Sequence, residues 1–141
     1  MLDYARILPI PNPDSVRFWE GCKKEILLIQ QCENCGKYRY EPRAVCPYCL
    51  SSSVRWAESD GKGKVYSFVI YRYAPAPKWT DEVPYVVALI ELKDCSVRMV
   101  SNIINCAPEE VKIGMDVVAC FEKATEEITL VKFRPLLLEK N

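Results

Sequence analysis

Cys32-Glu-Asn-Cys35 and Cys46-Pro-Tyr-Cys49 are two Cys-x-x-Cys pairs with ten residues, 36–45, between them. A Cys-x-x-Cys turn can present two thiolates to one ion while its backbone amides point at the sulfurs, and two such turns close a tetrahedral shell. Gly36 follows the first pair directly and suits the left-handed step that lets a knuckle turn back into a strand; Pro47 fixes one dihedral of the second. This spacing predicts a zinc site formed by Cys32, Cys35, Cys46 and Cys49. An iron–sulfur cluster also takes four cysteines, so on sequence alone the choice between zinc and iron stays open. A redox dithiol would usually open a helix in a βαβ setting, which this region lacks. With four protein thiolates as ligands no coordination position is left for water or substrate, and the expected role is structural.

The rest of the composition narrows the chemistry further. The 141 residues include eight cysteines and no histidine. Without histidine there is no Ser-His-Asp or Cys-His pair and no imidazole base near neutral pH, so most hydrolytic and acyl-transfer mechanisms are disfavoured. An even cysteine count suits a disulfide framework in a small exported chain, but the beginning, Met1-Leu-Asp-Tyr-Ala-Arg, lacks the pattern of an export signal. No apolar run approaches the roughly 20 residues of a membrane span, and a cytoplasmic protein is expected. The 19 basic and 19 acidic side chains balance. Residues 62–134 balance too, with no basic surplus to mark a nucleic-acid groove.

The elements that must position the cysteines follow from pattern. Residues 1–13 are proline-rich and read as an extended arm. Asp14 is an expected N-cap for a helix through about Lys24, with Val16, Trp19 and Cys22 on one face. Residues 25–30 read as a strand leading into the first knuckle. From Gly61 the pattern changes to long strands: about 64–73, 85–92, 97–104, 116–123 and 128–134, with a short acid-capped turn at 107–112. In the first of these, Val65, Ser67, Val69, Tyr71 and Tyr73 alternate with Tyr66, Phe68, Ile70 and Arg72. Gly61-Lys-Gly63-Lys64 reads as a flexible start to this strand rather than a phosphate loop, since no helix follows. The proline-rich loop 74–84 is long for a hairpin connection and carries Lys78 and Trp79, candidates for a phosphate and a stacking contact. Phe18 and Trp19 either anchor the helix on a partner or pack it on the ribbon, and the partner reading is preferred because a short helix on a small protein has little core of its own to cover. The expected architecture is mainly β: an arm, helix and lead-in strand over 1–30, a rubredoxin-like zinc ribbon over 31–60, and a five-stranded OB-fold barrel over 61–141.

Phe18-Trp19-Glu20-Gly21, the two knuckles, Pro42-Arg43, Gly61-Lys-Gly63-Lys-Val-Tyr-Ser67, Pro84-Tyr85 and Ile113-Gly114-Met115-Asp-Val117 occur in that order. Over about residues 12–135 this ordered set resembles the zinc-ribbon plus OB-fold proteins first grouped as "domain of unknown function 35". The resemblance implies a non-catalytic accessory subunit of a thiolase or condensing-enzyme-like partner, acting on a β-ketoacyl-CoA within a hetero-oligomer. It also implies stabilisation of that partner, with coenzyme A contacted at the interface, and the partner would supply the catalytic cysteine and histidine. One departure is Cys95 in the turn Lys93-Asp94-Cys95, where the family often has glycine. The competing reading, from a different class, is a zinc-ribbon and OB module that binds single-stranded nucleic acid on its aromatic side chains.

Overall fold

The computed structural model describes residues 8–74, 77 and 81–136. Helix α1 spans Val16–Lys23. Its start is organised by Asn12 rather than by the expected Asp14: Asn12 Oδ1 accepts the backbone N–H groups of Asp14 and Ser15, each at 2.9 Å. This Asx turn leads into the helix, whose N-cap is Ser15, one residue after the expected Asp14, with no side-chain cap hydrogen bond. The covered face also differs from the expected one. Phe18, Gly21 and Cys22 are buried, while Val16 is exposed, because the helix lies over the strand that follows it.

Strands β1 (Leu27–Cys32), β2 (Tyr38–Arg39) and β3 (Val54–Ser59) form an antiparallel sheet ordered β2-β1-β3. The lead-in strand is thus the centre of the ribbon's sheet. It pairs from Leu27↔Ser59 to Cys32↔Val54 on one side and Gln30↔Arg39 on the other.

Strands β4 (Lys62–Tyr71), β5 (Tyr85–Leu92), β6 (Arg98–Ile103), β7 (Asp116–Lys123) and β8 (Thr129–Pro135) close a barrel ordered β4-β5-β6-β8-β7. A 3-10 turn at Pro108–Glu110 precedes β7. Closure depends on Gly63, which pairs with Leu92 of β5 and Val117 of β7. A Cβ there would lie 2.7 Å from the Glu91 carbonyl, so the Gly-Lys-Gly start of the barrel is a tightly packed corner and not the flexible lead-in its composition suggested.

The register of β4 on β5 shifts between Val65 and Ser67. This bulge breaks the simple alternation read from sequence: Val65 is buried in the barrel, whereas Val69 and Tyr71 point out and Phe68 and Ile70 turn partly inward. The interior is filled by Val65, Val86, Ile90, Leu92, Val117 and Phe133, and it is continuous with Phe18, Cys22, Leu27 and Ile29 under the helix and ribbon. Ribbon and barrel are also joined through the Asp94 carboxylate, which accepts from Ser59 Oγ at 3.0 Å and from the Asp60 N–H at 2.9 Å. The left-handed residue of the β5–β6 turn is Ser96, φ 60°, so Cys95 does not occupy the position that would call for glycine.

Candidate functional site

The two knuckles are built alike. Gly36 N–H donates to Cys32 O and Leu50 N–H to Cys46 O, while Cys32 N–H donates to Lys37 O and Cys46 N–H to Ser51 O, all at 2.9 Å. These bonds fold each Cys-x-x-Cys into a tight turn and bring the four Sγ atoms within 4.8 Å of one another. Cys32 Sγ lies 3.6 Å from Cys49 Sγ, and Cys35 Sγ lies 3.7 Å from Cys46 Sγ. A zinc ion with sulfur ligands at about 2.3 Å needs S···S separations of about 3.8 Å along the edges of its tetrahedron. The donor set and the spacing therefore fit zinc held by Cys32, Cys35, Cys46 and Cys49.

The electrostatics explain why these sulfurs need a cation. The Cys35 backbone N–H holds the Cys32 thiol below its ordinary value, and the Asn34 side chain, donating at 3.4 Å, does the same for Cys49. The Cys35 thiol is pushed up to about 11: the Lys37 backbone N–H favours its thiolate, but desolvation and the neighbouring thiols outweigh it. Four thiolates this close repel one another. With a divalent ion at the centre all four ligands are thiolates, and the ion supplies a cross-link with no open position for reaction.

Behind the knuckles lies a buried polar network that the sequence did not reveal. Gln30 and Arg39 face each other across β1 and β2, and both are buried. Gln30 Oε1 accepts Arg39 Nε and the Arg43 N–H, both at 2.8 Å, and Arg39 Nη2 donates to the Arg43 carbonyl at 3.0 Å. One carboxamide thereby fixes the path of the chain between the two cysteine pairs. The only sequence signal was a glutamine and an arginine in strand-like segments flanking the first knuckle.

Of the expected partner or coenzyme A contacts, Phe18 is 3% exposed and packs on Trp19 and Tyr40, with ring centroids 5.1 and 5.7 Å away. Its side chain serves to seat α1 on the ribbon and barrel, which corrects the expectation of an exposed anchor. Trp19 is half-buried. It lines, with Val100 and Leu130, a cleft of about 200 Å3 between α1 and the barrel. Lys78 and Trp79 lie outside the described residues.

Two surfaces were not read from sequence. The bulge in β4 turns Val69 and Tyr71 outward beside Val87 and Tyr85 of β5, and Val100 of β6 extends the same outer face. Tyr71 and Tyr85 stack at 5.4 Å. The second surface is basic: Lys37, Arg39, Arg43 and Arg98 line one cleft between ribbon and barrel, although the charge count along 62–134 gave no hint of it.

Known proteins with this arrangement include several named subunits. Two protein-family models match: "ChsH2, rubredoxin-like zinc ribbon domain" over residues 19–55 and "ChsH2, C-terminal OB-fold domain" over residues 56–122. A "Probable enoyl-CoA hydratase alpha subunit" of Thermomonospora curvata is 39% identical over 127 residues, 90% of this chain and 39% of the relative. The chain thus spans about two fifths of that relative's length. A "DUF35 domain-containing scaffold protein" of Methanocaldococcus jannaschii is 36% identical over 129 residues, 86% of this chain and 90% of the relative. Among solved structures, a chain of "Ltp2-ChsH2(DUF35) aldolase" superposes with a TM-score of 0.82 at 39% identity, covering 91% of this chain and 98% of that one. Ribbon, barrel and relatives together place this chain in the DUF35 family of zinc-ribbon and OB-fold proteins.

Proposed function

We propose that this chain is a non-catalytic scaffold subunit that docks on a thiolase or condensing-type enzyme acting on a β-ketoacyl-CoA, stabilising it and bordering its coenzyme A site. The observation that carries the reading is the outer face of β4, β5 and β6. Val69 is 54% exposed and Val100 65%, and with Tyr71 and Val87 they form an apolar patch on the outside of a closed barrel. Such a patch lowers its free energy by meeting a partner. The class of partner is supported by the relatives, which carry the names scaffold protein, hydratase alpha subunit and the ChsH2 component of an aldolase. The absence of histidine supports a supporting role, because a thiolase-type mechanism uses a cysteine with a histidine base and this sequence has no histidine.

The test is affinity capture of the tagged chain from its native cell extract, in moderate salt with nuclease, followed by mass identification. Stoichiometric recovery of a thiolase-fold enzyme is the expected result. Recovery only of nuclease-sensitive material, or of a partner unrelated to acyl-CoA chemistry, would overturn the reading.

A further inference from the structure

Residues 44–50 form the tip of the second knuckle, and apart from its two cysteines every one of them is apolar or aromatic and exposed: Ala44, Val45, Pro47, Tyr48 and Leu50. Single apolar side chains on a surface are ordinary, whereas a run of them on one tip marks a contact surface. The backbone sharpens the point. Four non-glycine residues have left-handed backbone among the described residues; Glu25, Ser96 and Asn105 are polar, and Leu50 is the apolar one. A bulky side chain is disfavoured in that conformation. The first knuckle makes the same turn with Gly36, so the turn itself does not call for leucine. Leu50 thus combines backbone strain with a side chain 78% exposed, and burial within this chain offsets neither.

The tip is held in place for a contact. Leu50 N–H donates to Cys46 O and Cys46 N–H to Ser51 O, both at 2.9 Å, and Cys46 and Cys49 tie the loop to the metal site. A preorganised tip loses little conformational freedom on binding. Lys37 Nζ lies over one face of the Tyr48 ring at 4.4 Å, so the free apolar surface is chiefly Leu50 with the edge of Tyr48.

This surface continues toward the barrel patch. Pro47 and Tyr48 line the basic cleft on the ribbon side, and Arg98 of β6 lines it on the barrel side. The Arg98 guanidinium lies 3.8 Å over the exposed Tyr66 ring, and Val100 points outward two residues farther along the same strand. Arg43, exposed in the cleft between the two apolar areas, has no carboxylate partner among the described residues.

We infer that the tip of the second knuckle is a further anchor for the enzyme that covers the outer barrel face: Leu50 and the edge of Tyr48 enter an apolar depression on that enzyme, and its carboxylates face Arg43. The inference rests on the scaffold reading for the presence of an enzyme on the barrel and adds a second place where that enzyme is held.

The experiment titrates the enzyme recovered by the parent chain, once purified, with zinc-loaded full-length variants, and follows affinity, Tm and zinc content together. Leu50→Gly is expected to lose roughly tenfold or more in affinity while its Tm rises and its zinc content is unchanged, a combination that a purely structural role for Leu50 does not produce. Tyr48→Ser should weaken the complex as well, and Lys123→Ala, away from the tip, should not. Parent-like affinity in both Leu50→Gly and Tyr48→Ser would overturn the inference. If Val69→Glu weakens the complex in that same series, docking on the barrel stands and the knuckle anchor alone is lost. Recovery of no enzyme would remove the scaffold reading and the anchor together. Sedimentation of the isolated chain should show a monomer; a dimer that Leu50→Gly dissociates would assign the tip to a second copy and overturn the inference.

Discussion

Gly36 and Leu50 hold the same place in the two knuckles, one residue past the second cysteine, and both have left-handed backbone, with φ of 78° and 66°. Only the first is a glycine. Leu50 is 78% exposed, so its side chain contributes little burial to offset the strain of that conformation. Leu50→Gly is expected to stabilise the protein by about 0.5–1 kcal/mol, and Gly36→Ala to destabilise it by about 1 kcal/mol. In a chain of this size each kcal/mol moves Tm by roughly 3–5 °C. Thermal melts of the two variants should therefore shift in opposite directions.

Removing the metal should act on the ribbon first. Cys35→Ser leaves three thiols and takes away a cross-link whose apparent free energy is on the order of 10 kcal/mol in zinc-finger peptides. Loss of bound zinc together with loss of amide protection over 31–58 is the expected outcome, read by metal analysis and hydrogen exchange. Unchanged metal content and melting would refute the structural role.

Phe18 is where the helix is anchored. Phe18→Ala opens a cavity in a core shared with Tyr40 and the barrel, and should cost about 3–5 kcal/mol by chemical denaturation. Trp19→Ala, at a half-buried position, should cost less. A Phe18→Ala variant that melts like the parent would return this residue to the role of partner anchor.

On the outer face of the barrel, Val69→Glu and Val100→Glu place charges on the exposed apolar patch. Surface positions of this kind change stability little, whereas a charge desolvated at the centre of an interface costs at least about 2 kcal/mol. Each variant should keep its zinc and fold yet lose roughly tenfold or more in affinity for the captured enzyme. Undiminished affinity in both would move the docking surface elsewhere.

Burial pushes the Cys22 thiol up to about 12, opposed by a backbone hydrogen bond. A folded-state value above the unfolded one near 8.5–9 contributes stability that is complete below pH about 8.5 and is lost as pH rises toward 12. Unfolding free energy should fall above pH about 9, with a slope approaching 1.4 kcal/mol per pH unit from this group. Cys22→Ala should flatten that limb. In the folded protein Cys22 should resist thiol reagents that reach Cys106 and Cys120, neither of which is fully buried.

The metal quartet, the helix, the lead-in strand, the five barrel strands and the order of ribbon before barrel were legible in the chain because each depends on local spacing, whereas β3 at Val54–Ser59 was not read. Two cysteines three residues apart make a knuckle wherever they fold, and β-branched runs between turn residues make strands. What lies on which face was decided by tertiary structure. One extra residue at Tyr66 reverses the inside and outside of half of β4, and that reversal creates the exposed patch at Val69 and Tyr71. The helix buries Phe18 and leaves Val16 exposed because strand and barrel approach it from one side only, which no helical periodicity records. The basic cleft draws Lys37, Arg39 and Arg43 from the ribbon and Arg98 from the barrel, residues far apart in sequence within segments of balanced charge. Periodicity and spacing act over a few residues, whereas register, burial and the gathering of charge depend on contacts between distant segments, which form only when the chain closes on itself.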